Sequence, residues 1–172
     1  MSGDQPMSFR FTMVFVLSFV CLALPAWADG QVGVDAYKRG DYATALRECR
    51  PRAEQRDAGA QFYLGTLYAF GQGVPHDDAK ARWWYEQAAA QGLADAQTSL
   101  GMLYEEGLGV PHDNVHAYTR YSFAAAHLTG ASQKFAAERR DEVAGLMTPA
   151  QIAEAQKLAR EWKPKPYERP TH

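Results

Sequence analysis

Cysteine is scarce in this chain of 172 residues, which contains only Cys21 and Cys49. Cys21 lies in an N-terminal segment that is predicted below to be removed, so the mature chain keeps one cysteine and an intramolecular disulfide is excluded. In an oxidising compartment a lone cysteine is either a small buried side chain or an intermolecular link. Cys49 stands at the position that Tyr85 and Tyr121 occupy in later copies of a repeat, which favours burial.

Clustered positive charge is also missing. The formal net charge is −2, and the 18 Lys and Arg residues are scattered along the chain rather than gathered in one stretch. A protein that binds nucleic acid needs a basic surface that neutralises phosphates. Nucleic acid is therefore not an expected partner, and the ordinary composition, 47% hydrophobic and 22% charged, predicts a single globular unit.

The chain has no apolar run long enough to span a membrane comfortably. The longest, residues 11–24, covers fourteen positions, follows Arg10, and precedes Ala26 and Ala28, the small residues that a signal peptidase requires. Residues 1–28 are therefore predicted to be a signal peptide, cleaved between Ala28 and Asp29, with a periplasmic or secreted product and no stable membrane insertion afterwards. Retention of the segment as an uncleaved anchor is the alternative that remains open.

What the sequence does contain is a repeat. Residues 60–92 and 96–128 share seventeen identities in thirty-three positions, at an interval of thirty-six residues. A fixed period of 20 to 50 residues is typical of a solenoid, in which each unit buries its apolar face only against its neighbours. Fold and broad role follow from this period, whereas the identity of a partner does not.

Glycines mark special positions in each unit. Gly65 and Gly101 lie in the middle of a predicted helix, where glycine costs about 1 kcal/mol relative to alanine, so a close approach of the neighbouring helix is expected there. Gly71 and Gly107 begin Gly-x-Gly-Val-Pro segments, which predict a left-handed helix end followed by a turn. Asp77 or Asp78 is expected to cap the next helix.

The outer units are less regular. A degenerate first unit is predicted at 32–57, where Pro51 should kink the second helix or break it near Glu48. After the second full unit, two additional residues are expected before Gly130, followed by a charged helix over 131–147. Residues 148–151, Thr-Pro-Ala-Gln, predict a capping box that starts a final helix to Trp162. Residues 163–172 predict a disordered tail.

The motif A-x-A-Q-x-x-L-G-x-x-Y-x-x-G-x-G-V followed by A-x-x-W-Y-x-x-A-A resembles the Sel-one-like repeat, a branch of the tetratricopeptide-like solenoids. The resemblance implies an all-α, right-handed α-solenoid of antiparallel helix pairs over residues 29–162. Its units are about 32–57, 58–93 and 94–130, with a C-terminal capping segment at 131–162. Relatives look like exported adaptors whose concave side binds proteins or peptides, and their motif residues shape the fold without forming a catalytic signature.

Catalytic and metal sites are not expected. Some cysteine-rich secreted relatives resemble weak β-lactam-binding proteins or β-lactamases, which is the alternative function, but this chain has no Ser-x-x-Lys and no Gly-x-Ser-x-Gly. His112 and His116 have the spacing of two ligands on one helical face, yet no third ligand stands nearby. No cofactor is predicted, and the expected partner is a protein or peptide.

Positions that differ between the two full units predict the binding face. Along the first helix of each unit they recur at intervals of four, three and four residues, which places them on one helical face. If the chain packs as its relatives do, this face lines the concave side. The predicted partner-binding residues are Tyr63, Thr66, Phe70, Asp95, Ser99, Met102 and Glu106, with Gly59 beside them. Trp83, next to the motif residue Trp84, is expected to be partly exposed as a second contact point.

Overall fold

The computed structural model describes the backbone of residues 26–164 and the side chains from residue 31 onward. This part of the chain forms eight α-helices and no strand, which confirms the all-α prediction. The helices are α1 (Ala26–Lys38), α2 (Tyr42–Glu54), α3 (Ala58–Phe70), α4 (Asp78–Ala90), α5 (Ala94–Glu106), α6 (Asn114–His127), α7 (Gly130–Ala144) and α8 (Pro149–Glu161).

Two of the predicted segments fall largely outside this range. Residues 1–25 of the predicted signal peptide and residues 165–172 of the predicted tail lie outside the described residues. The predicted cleavage junction between residues 28 and 29 falls inside α1. None of the helices between residues 26 and 164 is both long and apolar enough to cross a membrane.

The thirty-six-residue period continues further than the sequence predicts. Helices α3, α5 and α7 begin at residues 58, 94 and 130, and α2, α4 and α6 begin at residues 42, 78 and 114. The expected two-residue insertion before Gly130 is therefore wrong, because α7 starts one full period after α5. The local change is smaller: α6 is one residue longer than α4, and the turn that follows it is correspondingly different.

Helix ends follow the predicted chemistry. The side chains of Asp41, Asp57, Asp77 and Asp113 each accept a hydrogen bond from the backbone N–H three residues later, so Asp77, rather than Asp78, is the cap of α4. The C-caps Gly71 and Gly107 are left-handed, with φ of 62° and 70°. The capping box of Thr148 and Gln151 is present at the start of α8. These local bonds confirm the predicted helix ends at Gly71 and Gly107, the cap at Asp77 and the capping box at Thr148, whereas the charged helix predicted over 131–147 ends earlier, at Ala144.

Helix α2 continues through Pro51 to Glu54, so the predicted break near Glu48 is wrong. Proline removes one backbone donor but leaves the rest of the helix free to form. Burial of Ala45, Cys49 and Ala53 along one face of α2 provides the packing that stabilises the helix on both sides of the proline.

The mid-helix glycines lie under aromatic rings of the following helix. A β-carbon on Gly65 would lie 2.8 Å from Cδ1 of Tyr85, and one on Gly101 would lie 2.7 Å from Cε1 of Tyr121. Gly33 has the same relation to Cys49, with a β-carbon 2.7 Å from Sγ. The close approach is confirmed, although its main partner is a side chain rather than the backbone that the sequence predicts. Cys49 is buried, as expected.

A series of glutamines joins consecutive units. Gln61, Gln97 and Gln133 each donate a side-chain hydrogen bond from Nε2 to the backbone carbonyl eight residues earlier, at distances of 3.1, 3.3 and 3.1 Å. The acceptors lie in the last turns of α2, α4 and α6, and the carbonyls of Ala53 and Ala89 also accept a backbone N–H from three residues later. Each unit thus bonds to a carbonyl of the unit before it, which fixes the register of the stack.

The C-terminal helices depart from simple pairing. Helices α1 to α6 pack as three consecutive pairs, whereas α7 and α8 both pack on α6 and have few contacts with each other. Trp162, just after α8, packs edge-on against Phe123 of α6 with ring centroids 4.2 Å apart. A β-carbon built on Gly92, in the turn between α4 and α5, would lie 3.6 Å from Cγ of Pro164. The chain therefore passes from α8 across α6 to the α4–α5 turn.

Candidate functional site

A hollow of about 350 Å³ lies on the face formed by α3, α5 and α7, the first helices of three successive units. We call it the first-helix groove. Its lining residues are Phe62, Asp95, Thr98, Ser99, Leu128, Ala131, Ser132 and Phe135. Because these helices succeed each other at one period, the groove runs across the repeats rather than along one helix.

Aromatic side chains border the groove at both ends. On α3, Phe62 packs edge-on against Tyr63 with ring centroids 5.3 Å apart, and Tyr63 in turn contacts Tyr37 at 5.1 Å. On α7, Phe135 is 42% exposed. Between them α5 contributes Thr98 and Ser99, whose small side chains leave the hollow open. The groove therefore offers two apolar walls and a polar floor.

Asp95 is the only charged residue in the lining of the groove. It lies in the first turn of α5, is exposed, and makes no ion pair with any residue between 31 and 164. Partial burial, and next the negative charge of Asp95, raise the pKa of the Tyr63 phenol. The negative charge of Asp95 thus affects the ionisation of Tyr63, behind the aromatic wall. Because no cation among residues 31–164 pairs with Asp95, its carboxylate oxygens can bind a ligand.

The predicted binding residues do not share one environment. Asp95 and Ser99 line the groove, and Tyr63 lies directly behind its Phe62 wall. Phe70, which is 67% exposed, and Glu106 are the last residues of α3 and α5 and lie outside the lining.

Thr66 was predicted to be an exposed binding residue, but its side chain is buried. Its side chain is 8% exposed, donates a hydrogen bond to the Phe62 carbonyl at 2.9 Å, and accepts one from the Tyr85 hydroxyl at 3.2 Å. The counterpart Met102 is half-buried against the core cluster that contains Tyr121. The two units differ at this position because each satisfies its tyrosine hydroxyl in its own way.

In the second full unit a carboxylate takes the place of the threonine hydroxyl. Met102 offers no acceptor comparable to Thr66, and the Tyr121 hydroxyl donates instead to Glu105 at 2.7 Å. Glu105 is also paired with Arg139 of α7. Burial, followed by the hydrogen bond to Glu105, raises the pKa of the Tyr121 phenol. This network fastens α7 to the stack and stabilises the far wall of the groove.

Several groove residues escaped prediction from the sequence. Phe135 stands thirty-six residues after Ser99, which itself stands thirty-six after Tyr63, so the repeat register carried the signal. Because we expected two additional residues before Gly130, the thirty-six-residue alignment was not extended to Phe135. Phe62 and Thr98, which also differ between units, precede the predicted positions by one residue and face the groove as well.

A second hollow, of about 450 Å³, lies where the N-terminal ends of α6 and α8 meet. His112 and His116 both line it, but their Nδ1 atoms already lie 2.6 Å from the Glu105 carbonyl and 2.7 Å from Asp113 Oδ2. Within residues 31–164 no group of three or more His, Cys, Asp or Glu side chains is arranged to hold a metal ion.

The other aromatic site predicted from the sequence is exposed. Trp83 is 47% exposed on α4 and packs edge-on against Trp84 with ring centroids 4.4 Å apart. The expectation of partial exposure is confirmed. Trp83 does not line either of the two hollows described above.

Helix pairs that recur every thirty-six residues, with a groove along their first helices, define a helical repeat protein of the solenoid type. Residues 58–93 and 94–127 match the family model of the Sel1 repeat. Residues 58–127 of this chain are therefore Sel1 repeats, and the described part of the chain has the SLR fold.

Two solved structures are similar to this chain. One is a protective antigen present in uropathogenic Escherichia coli strains, described as displaying an SLR fold; it is 30% identical, with a TM-score of 0.73, over 80% of this chain and 29% of that chain. The other is a Sel1 repeat protein from Oxalobacter formigenes, 26% identical with a TM-score of 0.56, over 77% of this chain and 61% of that one.

Two curated proteins share a shorter region. Both are named exopolysaccharide production negative regulator, from Rhizobium leguminosarum bv. viciae and Rhizobium meliloti (strain 1021), and are 38% and 36% identical over 61 residues. This region is 36% of the present chain and 23% of each relative. The chain therefore matches less than a quarter of the length of these curated relatives.

Proposed function

We propose that the first-helix groove binds an extended segment of a partner protein, and that the chain acts as a non-catalytic adaptor in the bacterial cell envelope. The observation that carries the proposal is the groove itself, with aromatic walls on α3 and α7, a floor of small polar side chains, and a carboxylate that makes no ion pair with residues 31–164. Sel1-type repeats typically mediate protein interactions, so the proposal agrees with the family.

The groove favours an extended ligand with an apolar anchor. It crosses three helices that share few direct contacts, so neighbouring axes lie at least about 10 Å apart and a ligand that spans the groove covers about 20 Å or more. About six extended residues reach that distance. An aromatic or large aliphatic side chain between Phe62 and Phe135 would bury apolar area on both sides, as anchor residues do in the cores of protein interfaces.

The charge of the groove favours a basic residue near the anchor. Asp95 has no competing cation among residues 31–164, so a Lys or Arg of the ligand can pair with it without displacing an existing bond. Hydrogen bonds to a charged group contribute about 1.5–3 kcal/mol, which is about tenfold or more in affinity. The preferred segment therefore combines an apolar anchor with one basic side chain.

The adaptor role is favoured over β-lactam hydrolysis by the groove's chemistry. Ser99 and Ser132 line the groove, but its lining includes no histidine or lysine that would accept a hydroxyl proton. Cys49 is buried beneath α1, and burial raises the pKa of its thiol to about 11. A buried, protonated thiol is a poor nucleophile.

The envelope location rests on the predicted signal peptide and on the relatives. One similar structure is named a protective antigen and two relatives are named exopolysaccharide production negative regulators, and we take these names as support for an envelope setting of this chain.

A displayed library of random heptapeptides tests the binding proposal with a defined probe. We expect enrichment of peptides that combine an aromatic residue with Lys or Arg, and loss of this enrichment in Ser99→Trp, which fills the floor. Asp95→Asn should remove the preference for the basic residue while keeping the aromatic one.

The matched control is the double variant Phe70→Ala and Glu106→Gln, which changes predicted residues outside the lining. Circular dichroism melts confirm that each variant is folded. Equal enrichment by the parent protein and Ser99→Trp would refute binding in the groove. Hydrolysis of the chromogenic cephalosporin nitrocefin by the purified protein would favour the enzymatic alternative instead.

A further inference from the structure

A hollow of about 240 Å³ lies at the seam between the two full units, where residues of α4, α5 and α6 meet, and we call it the Arg120 pocket. Its lining residues are Glu86, Ala89, Ala90, Leu100, Arg120 and Trp162. None of them lines the first-helix groove. The Arg120 pocket is therefore a candidate site separate from the groove and independent of its proposed function.

The pocket lies where the second full unit departs from the repeat motif. Arg120 stands thirty-six residues after Trp84, the tryptophan of the motif. Trp84 packs on the core cluster that contains Leu64, and the pocket is lined by Leu100, which follows Leu64 by one period. The space that an indole ring occupies at the first seam is thus open at the second, with a guanidinium beside it.

The guanidinium of Arg120 is only partly satisfied by residues 31–164. Its Nη1 donates a hydrogen bond to Gln97 Oε1 at 3.1 Å, while its buried Nε has no acceptor in this range. No carboxylate of the same residues forms an ion pair with Arg120, because Glu86 of the lining is paired with Arg82 at 3.0 Å. Since arginine is always charged and carries five N–H donors, the pocket keeps a positive charge that an anion can pair with.

Support of the Gln97 side chain does not by itself require an arginine. In the first full unit the equivalent oxygen, Oε1 of Gln61, accepts a hydrogen bond from Gln91 Nε2 at 2.7 Å. An uncharged amide is therefore sufficient at that position of the fold. Partial burial of a charge without a counter-charge costs free energy, and a bound anion would offset this cost.

Apolar side chains define the rest of the ligand. Trp162 lines the pocket together with Leu100 and Ala90, and its indole is held by an edge-on contact with Phe123 at 4.2 Å between ring centroids. A cavity of about 150 Å³ accommodates benzene. The larger volume of the Arg120 pocket therefore accommodates one ring together with a short chain and a carboxylate, although it is small for a drug-sized ligand.

We propose that the Arg120 pocket binds a small organic carboxylate whose apolar body is about the size of one ring. The carboxylate pairs with the guanidinium of Arg120. The apolar body packs against Trp162, in the space that corresponds to the Trp84 ring of the preceding seam. Charge and shape thus select the ligand together, since neither a bare anion nor an uncharged ring satisfies both parts of the pocket.

An NMR titration of the purified ¹⁵N-labelled protein with 3-phenylpropionate tests this inference. The indole N–H resonance of Trp162, assigned with Trp162→Phe, should shift in a saturable manner with a dissociation constant of about 1 mM or below. The resonances of Trp83 and Trp84, which do not line the pocket, should stay in place. The uncharged 3-phenylpropionamide should bind at least about tenfold more weakly, because it cannot form a charge-assisted pair. Acetate, which lacks the apolar body, should also bind at least about tenfold more weakly.

Two substitutions of Arg120 separate binding from folding. Arg120→Gln keeps an amide that can donate to Gln97, and it should weaken binding of 3-phenylpropionate at least about tenfold. Arg120→Trp places the motif side chain in the hollow, so it should abolish the shift of the Trp162 resonance while the protein melts at or above the parent temperature. The control Arg47→Gln removes an exposed arginine of α2 and should bind like the parent.

Four results would each overturn the inference. They are the absence of a saturable shift of the Trp162 resonance, equal affinity for the acid and its amide, equal affinity for the acid and acetate, and unweakened binding by a folded Arg120→Gln protein. Circular dichroism melts establish that each variant is folded. The comparison of acid and amide uses the parent protein alone, so it decides the question even if a variant does not fold.

Discussion

Replacing Gly101 with alanine tests whether stability depends on the Tyr121 ring of α6 packing directly against the backbone of α5. The new β-carbon would lie 2.7, 2.8 and 2.9 Å from Cε1, Cδ1 and Cζ of Tyr121. Carbon atoms pack best at about 3.5–4.0 Å, so the ring would have to retreat by roughly 1 Å. Tyr121 is 0% exposed, and its hydroxyl is held by Glu105 at 2.7 Å, so little movement is available.

Two effects of opposite sign determine how much Gly101→Ala changes the free energy of unfolding. Overpacking a core costs about 1–3 kcal/mol, and the anchored ring places this site at the upper end. Alanine in place of glycine inside a helix stabilises it by about 1 kcal/mol. We therefore expect the free energy of unfolding to fall by about 1–2 kcal/mol. For a domain of this size that lowers the melting temperature by roughly 3–8 °C.

The assay is thermal and urea unfolding followed by circular dichroism. Gly59→Ala is the matched control, because its β-carbon would approach only Asp57 Oδ1, at 3.3 Å, and the variant should be as stable as the parent or slightly more so. Adding Tyr121→Leu to Gly101→Ala should recover part of the loss, since a shorter side chain vacates the contact. A Gly101→Ala protein that melts at or above the parent temperature would refute the reasoning.

Three further predictions concern acid stability, thiol reactivity and export. The side-chain hydrogen bond with Lys80 holds the pKa of the Asp77 carboxyl below its ordinary value, so its stabilising effect is present above about pH 4 and is lost as the pH falls through the lowered pKa. Melts from pH 6 to pH 2.5 should show a smaller acid destabilisation for Asp77→Asn, and an unchanged slope contradicts this. Burial raises the pKa of Cys49 to about 11, so a thiol reagent at pH 8 should react only in denaturant; rapid reaction of the folded protein means that the thiol is accessible. The intact mass of exported protein should begin at Asp29, and a species that retains residues 1–28 eliminates the predicted cleavage.

Most of the fold could be predicted from local signals in the sequence. The left-handed Gly71 and Gly107 and the caps at Asp77 and Thr148 depend on residues within a few positions of one another, and the repeat period is read directly by comparing one stretch of sequence with the next. Such signals are satisfied inside a single helix or turn, so they do not require knowledge of the neighbouring units. Of the kink or break predicted from Pro51, the break near Glu48 does not occur, because burial of α2 outweighs the loss of one backbone hydrogen bond.

The groove was only partly predictable, since variation between repeats does not distinguish surface from core. Ser99 and Thr66 both differ from their counterparts and both interact with the buried Tyr85 hydroxyl, yet only Ser99 also lines the open hollow. The sequence by itself determined a solenoid of helix pairs, because a thirty-six-residue period with apolar faces can be buried only by stacking. Tertiary structure alone decided which varied side chains face the groove, because that depends on rings such as Tyr85 reaching across from a helix nineteen residues further along the chain.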